Sequence, residues 1–218
     1  MKKYALFLVY SFLFLSLCCA QSVTIGAQVW STKNLDVSTF RNGDKIPQVK
    51  TAEEWQNADK NKQPAWCYYA YDPTYGEKYG KLYNWYAVND KRGLAPEGWH
   101  VPSDEEWKQL TDLLGGDSVA GKKMKSTSGW WIFNTDSYNG GGTNESGFSG
   151  LPNGYRSDFE EGGIGAFYSE GEIGSWWSAS ESDYNTDAWI LQLYYGDDSV
   201  GRSFSNKSNG LSVRCLKD

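Results

Sequence analysis

The tightest constraint on this chain is the run from Ala188 to Tyr195, in which Trp189, Leu191, Leu193 and Tyr195 occupy every second position. A period of two presents these side chains on one face of a strand, whereas a helix would scatter them around its axis. Two further segments follow, Ser199 to Ser205 and Leu211 to Leu216, set off by Gly196-Asp197-Asp198 and by Asn206-Lys207-Ser208-Asn209-Gly210. Those are turn-forming residues, so the three segments predict an antiparallel meander. The same parity turns Leu211, Val213 and Cys215 inward on its last strand.

Upstream, Val23 to Trp30 reads as a first strand, and Pro64 to Tyr71 is β-prone through its aromatics. Two helices announce themselves by their starts. Thr51 with Glu54, and Ser103 with Glu106, have the capping-box spacing, which predicts a short helix to about Ala58 and a longer one carrying Trp107, Leu110, Leu113 and Leu114. Gly115-Gly116 stops the second, and a further turn of helix covers Ser118 to Met124. Beyond residue 128, short β-like segments occur near Phe148 to Arg156, Ala166 to Ser169 and Gly174 to Ser180. With no internal repeat, charge run or low-complexity linker, one domain is expected over residues 21–218.

The first 20 residues read differently. Lys2 and Lys3 precede an uncharged apolar stretch, Tyr4 to Leu17, and then Cys18-Cys19-Ala20. This is the pattern of a signal peptide, too short for the ~20 apolar residues of a membrane helix. Cleavage after Ala20 is the favoured reading, with lipidation at Cys18 or Cys19 the alternative; either sends the protein to a secreted or cell-surface location. The formal charge of −6 argues against a nucleic-acid partner and suits neutral ligands or cations. Export leaves Cys67 and Cys215, which are either bridged or two buried thiols.

Catalytic chemistry is thinly represented. The single histidine, His100, lies beside Trp99 and ahead of a helix, a setting that suits a structural role, and neither a nucleophile triad nor a zinc site can be assembled around it. The acidic doublets Glu105-Glu106, Glu160-Glu161 and Asp197-Asp198 diverge on a helix or are solvated in turns. Asp183, Asn185 and Asp187 alternate as in part of a calcium loop, although the loop glycine and distal glutamate of an EF-hand are missing, so calcium is possible and no other cofactor is indicated. The distinctive feature is aromatic content, 11 Trp and 15 Tyr. Such rings either fill a loop-rich core or stack on sugars and protein surfaces.

Several segments in order, Val29-Trp30-Ser31-Thr32-Lys33-Asn34-Leu35, Tyr79-Gly80-Lys81-Leu82-Tyr83-Asn84-Trp85-Tyr86-Ala87, Pro96 to Trp107, Gly154-Tyr155-Arg156, Trp176-Trp177-Ser178-Ala179-Ser180 and Ser212-Val213-Arg214-Cys215, resemble the Fibrobacter succinogenes major paralogous domain. The resemblance implies an α+β fold, C-type-lectin-like and related to formylglycine-generating enzymes, with a compact twisted antiparallel sheet, two or more short helices and long loops. It also implies a Cys67–Cys215 disulfide. The close cysteine pair of the enzyme branch is missing, so the implied function is a non-catalytic binding module for polysaccharide or a protein surface, not an enzyme. Outward-parity aromatics and polar turn residues then form the candidate ligand-binding set: Trp177, Asp183, Tyr184, Asn185, Asp187, Tyr194, Asp197, Asp198 and Asn206. The alternative is an extracellular carboxylate-dependent enzyme acting on glycans or proteins, with calcium as its candidate assisting ion.

Overall fold

The computed structural model describes residues 21–132, 141–157 and 166–218; the expected signal peptide lies outside them. The first strand of the sequence reading is in fact a hairpin. Strands β1 (Ser22–Ile25) and β2 (Gln28–Ser31) pair antiparallel, with Ile25 opposite Gln28 and Gly26 taking the turn at φ +61°. That left-handed backbone is open to glycine at little cost, which is why one alternating run folds back on itself.

Helix α1 (Ala52–Lys60) starts at Thr51, whose hydroxyl accepts the Glu54 amide at 3.1 Å. Next come β3 (Trp66–Cys67), a 3-10 turn at Tyr69–Tyr71, α2 (Thr74–Tyr79), β4 (Leu82–Tyr83), α3 (Trp85–Val88) and β5 (Trp99–His100). Helix α4 (Asp104–Leu113) has the complete capping box, Ser103 and Glu106 each bonding the other's backbone amide. Its buried stripe is Trp107, Leu110 and Thr111, while Leu113 points outward. Helix α5 (Asp117–Met124) approaches the β-structure so closely that a Cβ on Gly121 would lie 2.2 Å from the Ser199 carbonyl oxygen.

The last third forms β6 (Asn153–Arg156), β7 (Phe167–Glu170), β8 (Ile173–Glu181), β9 (Asp187–Tyr194), β10 (Val200–Asn206) and β11 (Leu216–Lys217). Among the described residues there are three sheets, ordered β1-β2-β11-β5, β10-β9-β8-β6-β7 and β3-β4. The protein is thus mixed α+β, with several sheets in place of one and a parallel β6–β8 pair inside the largest.

The meander is correct for β9 and β10 and wrong for its last member. Residues 211–215 run between sheets, bridging Tyr83 through Leu211 and Trp176 through Ser212, and only Leu216–Lys217 pairs as a strand, in the other sheet, between β2 and β5. The inward parity holds even so, with Leu211, Val213 and Cys215 buried together in one core. Cys215 belongs to the core around Trp66, Trp85 and Trp177, and Cys67 to a separate cluster with Trp55 and Leu82. The two are not joined by a disulfide.

Both faces of the large sheet are covered. Trp177, Ala188 and Ile190 pack into one core; Trp176, Leu191 and Leu193 pack into the other, with Trp30, Trp107 and Phe148. Trp30 and Trp107 approach to 4.6 Å between ring centroids, with Phe148 edge-on to both. A polar knot crosses this core. The buried Arg214 guanidinium donates to Asn34 Oδ1 at 2.7 Å and to the carbonyls of Ser31, Phe148 and Ser149 at 2.8, 2.8 and 2.9 Å. Asn34 Oδ1 also accepts the Trp176 indole at 2.8 Å. Burial pushes the Arg214 pKa down, yet four hydrogen bonds hold the cation in place of a carboxylate.

Candidate functional site

Register decides what the β9–β10 ribbon presents. Trp189 lies opposite Phe204, Leu191 opposite Arg202 and Leu193 opposite Val200, so all six share one face. Helices α4 and α5 cover that face as far as Asp104, the first residue of α4, whose carboxylate holds Arg202 in a two-point ion pair, Nε to Oδ1 at 3.2 Å and Nη2 to Oδ2. Past Asp104 the cover ends. Trp189 is therefore only half-buried, and the Phe204 and Tyr184 side chains stand 44 % and 61 % exposed.

These rings form a continuous shelf. Tyr184 lies 5.3 Å from Phe204, and Phe204 meets Trp189 edge-on at 6.1 Å, within the range of favourable aromatic pairs. The Arg202 guanidinium lies 5.9 Å from the Trp189 centroid. Around the shelf the exposed Asp183 and Asn185 supply polar groups. The turn beneath is rigid: Ser182 Oγ accepts the Tyr184 amide and donates to its carbonyl, and the Asn185 carbonyl accepts Lys207 Nζ at 2.9 Å.

Of the nine residues expected to bind ligand, five gather at this end. Asp183, Tyr184 and Asn185 are on the β8–β9 turn, and Asp187 pairs across the ribbon with Asn206, whose amide oxygen is taken by the Ser208 amide and hydroxyl. Tyr194, Asp197 and Asp198 lie at the other end of β9, which at eight residues is roughly 24 Å away. That turn is pinned structurally. Lys125 Nζ donates to the Tyr194 and Asp197 carbonyls, the Lys122 amide donates to the Asp198 carbonyl, and Tyr194 Oη bonds Gln192. Trp177 is no surface residue at all. Parity does turn it away from Trp176, but a second core lies on that side, where Trp177 is fully buried and its indole donates to the Tyr83 carbonyl at 2.7 Å.

Phe204, Trp189 and Arg202 were missed as site residues. The alternation Arg202-x-Phe204 was legible, but the point at which helical cover ends was not. No three His, Cys, Asp or Glu side chains among the described residues come together as a metal-binding group.

Two clefts lie elsewhere. One, of about 500 Å³, runs between the end of α1 and α3 and is lined by Lys62, Pro64, Trp85, Tyr86, Asn89 and the Asp90–Arg92 segment. The other, of about 420 Å³, has Asp36 and Glu77 in its wall, with Asp36 paired to the buried Lys81. His100 does not bond the backbone through its ring. Nδ1 meets Asp218 Oδ1 at 2.7 Å and Nε2 meets Glu106 Oε1 at 2.9 Å. Burial alone would lower its pKa, but the two carboxylates outweigh burial and the net shift is upward.

No helix among the described residues is long and apolar enough to cross a membrane. No curated protein and no solved structure matches the chain. The model of the Fibrobacter succinogenes major domain matches residues 23–217, running from the first hairpin to β11 and so taking in both the aromatic shelf and the two clefts, and the chain belongs to that family.

Proposed function

We propose that the protein is a secreted or surface-associated, non-catalytic binding module that recognises extracellular polysaccharide on the shelf of Tyr184, Phe204 and Trp189. One observation carries the reading: three contiguous rings, two of them exposed, emerge where helical cover of the β9–β10 face stops. Exposing them has no packing rationale, and flat rings beside polar groups suit sugar faces and their hydroxyls. In this reading Asp183, Asn185 and the amide nitrogen of Asn206 read hydroxyls, without a cofactor. A C-type-lectin-like fold, which carries binding surfaces on loops, is part of the same proposal.

Affinity electrophoresis through gels containing a panel of polysaccharides tests it. The chain should be retarded by at least one polymer, and Tyr184→Ala with Phe204→Ser should weaken retention roughly tenfold, since each ring contact is worth ~0.5–1.5 kcal/mol. Unaltered retention of that double variant would move the site elsewhere. Hydrolysis of a retained polymer, lost on Glu77→Gln, would establish the carboxylate-dependent enzyme instead.

A further inference from the structure

Helix α1 ends in a Schellman motif, with Gln63 N–H bonded to the Ala58 carbonyl and Lys62 N–H to that of Asp59. The residue at its left-handed position is usually glycine. Here it is Lys62, at φ +50°, a backbone conformation that disfavours a side chain. The side chain retained there lines the 500 Å³ cleft together with Lys91 and Arg92.

The charges around this cleft are unequal in their freedom. Arg92 is committed: it holds Asp90 at two points, 2.9 and 2.8 Å, reaches Asp44 at 3.2 Å, and lies over the Phe40 ring. Asp90, the one carboxylate in the lining, is thereby neutralised. Lys62 and Lys91 are exposed, and neither reaches a carboxylate within ion-pair distance among the described residues. Between them the half-buried Tyr86 ring, held through its hydroxyl to Asp59 at 3.1 Å, forms an apolar wall with Pro64, and the exposed Asn89 amide adds hydrogen-bonding capacity. Lys207 links this cleft to the aromatic shelf: its ammonium lies 4.7 Å from the Trp85 ring centroid and donates to the Asn185 carbonyl.

We infer that this cleft binds an anionic sugar unit, one bearing a carboxylate or a sulfate, of the polysaccharide whose neighbouring residues lie on the shelf. The inference rests on the polysaccharide reading and narrows it. The overall acidic balance pointed to neutral ligands or cations, but two ammonium groups outside any ion pair, beside an aromatic wall, make a local site of opposite sign. A volume of about 500 Å³ is within the usual range for a small-ligand site.

The test is affinity electrophoresis and calorimetry with polygalacturonate, a sulfated galactan, and the carboxyl-reduced and desulfated forms of each. An acidic polymer should bind more tightly than its neutral counterpart, with the advantage falling as salt rises. Lys62→Gln with Lys91→Gln should weaken that binding roughly tenfold, as loss of two charge-assisted contacts implies. The carboxylated and sulfated arms distinguish the source of the anion. Lys62→Gly should weaken acidic binding while raising the melting temperature, because glycine relieves the left-handed strain, which separates lost recognition from lost folding. Equal binding of acidic and neutral forms, or acidic binding untouched by the lysine variants, overturns the inference and leaves the polysaccharide reading standing. Failure to bind any polymer, neutral or acidic, overturns both.

Discussion

Arg214 shows what single residues contribute here. A lysine in its place could donate at most three hydrogen bonds from one point, against the four that the guanidinium spreads over Asn34 and three carbonyls. Leaving one or two buried acceptors unmet costs about 1–3 kcal/mol each. Arg214→Lys should therefore lower unfolding stability by roughly 2–4 kcal/mol in urea titrations, and a loss under 1 kcal/mol would mean that water enters the knot. The cysteines give a sharper chemical test. Both thiols are buried, and burial pushes the Cys67 thiol far above its ordinary value, so neither should react with iodoacetamide in the folded protein. Both should react after denaturation without reductant; a linked Cys67–Cys215 peptide in the digest would restore the disulfide. Trp107 and Trp189 should also part company. Trp107→Ala empties a sealed site and should cost ~3–5 kcal/mol, whereas half-buried Trp189 should cost distinctly less in the same melts.

Among the elements, those that declare themselves by local chemistry were legible in advance. Thr51 and Ser103 start α1 and α4 because a hydroxyl followed three residues later by glutamate meets the unsatisfied amides of a first turn, whatever surrounds it. Ser103→Ala should accordingly cost about 1 kcal/mol in thermal unfolding, and more than that would show that Glu106 loses its hold on His100 as well. Strands β9 and β10 were legible because alternation and turns suffice to pair neighbours. The segment 211–215 was not, since its alternation serves two cores on either side of a crossing chain with no ladder of its own, and periodicity cannot tell those cases apart. Nor could the run Val23 to Trp30 reveal its hairpin by pattern: its apolar residues keep to odd positions through Val29, whereas the fold sets Trp30 on the same face as Val23 and Ile25.

For the molecule as a whole, His100 is the joint between layers. It sits on β5, which pairs with β11, and its ring ties Asp218 to Glu106 on α4. Its raised pKa makes this tie fully effective below the unfolded value of about 6.5, with the contribution lost as pH rises through the higher folded value. Glu106 is shifted the other way: burial opposes ionisation, but bonds from Ser103 and His100 outweigh it, so its contribution is lost as pH falls through the depressed folded value. The difference in melting temperature between the protein and His100→Gln should thus be largest at mildly acidic pH and shrink above neutrality. A difference that grows with pH would show that the ring is held neutral.

The sequence alone determined what depends on nearest neighbours along the chain: helix starts, the turns of the last strands, the inward face of Trp189, Leu191 and Leu193, and membership of a family by ordered local segments. Only the tertiary structure decided which faces stay uncovered. Trp177 had the parity of a surface residue and is buried by a second core, while Trp189 had the parity of a core residue and emerges because α4 begins at Asp104 and its cover reaches no further. Parity assigns a side chain to a face of a sheet. Whether that face meets solvent depends on what the rest of the chain lays over it, and that is set by packing between segments far apart in sequence.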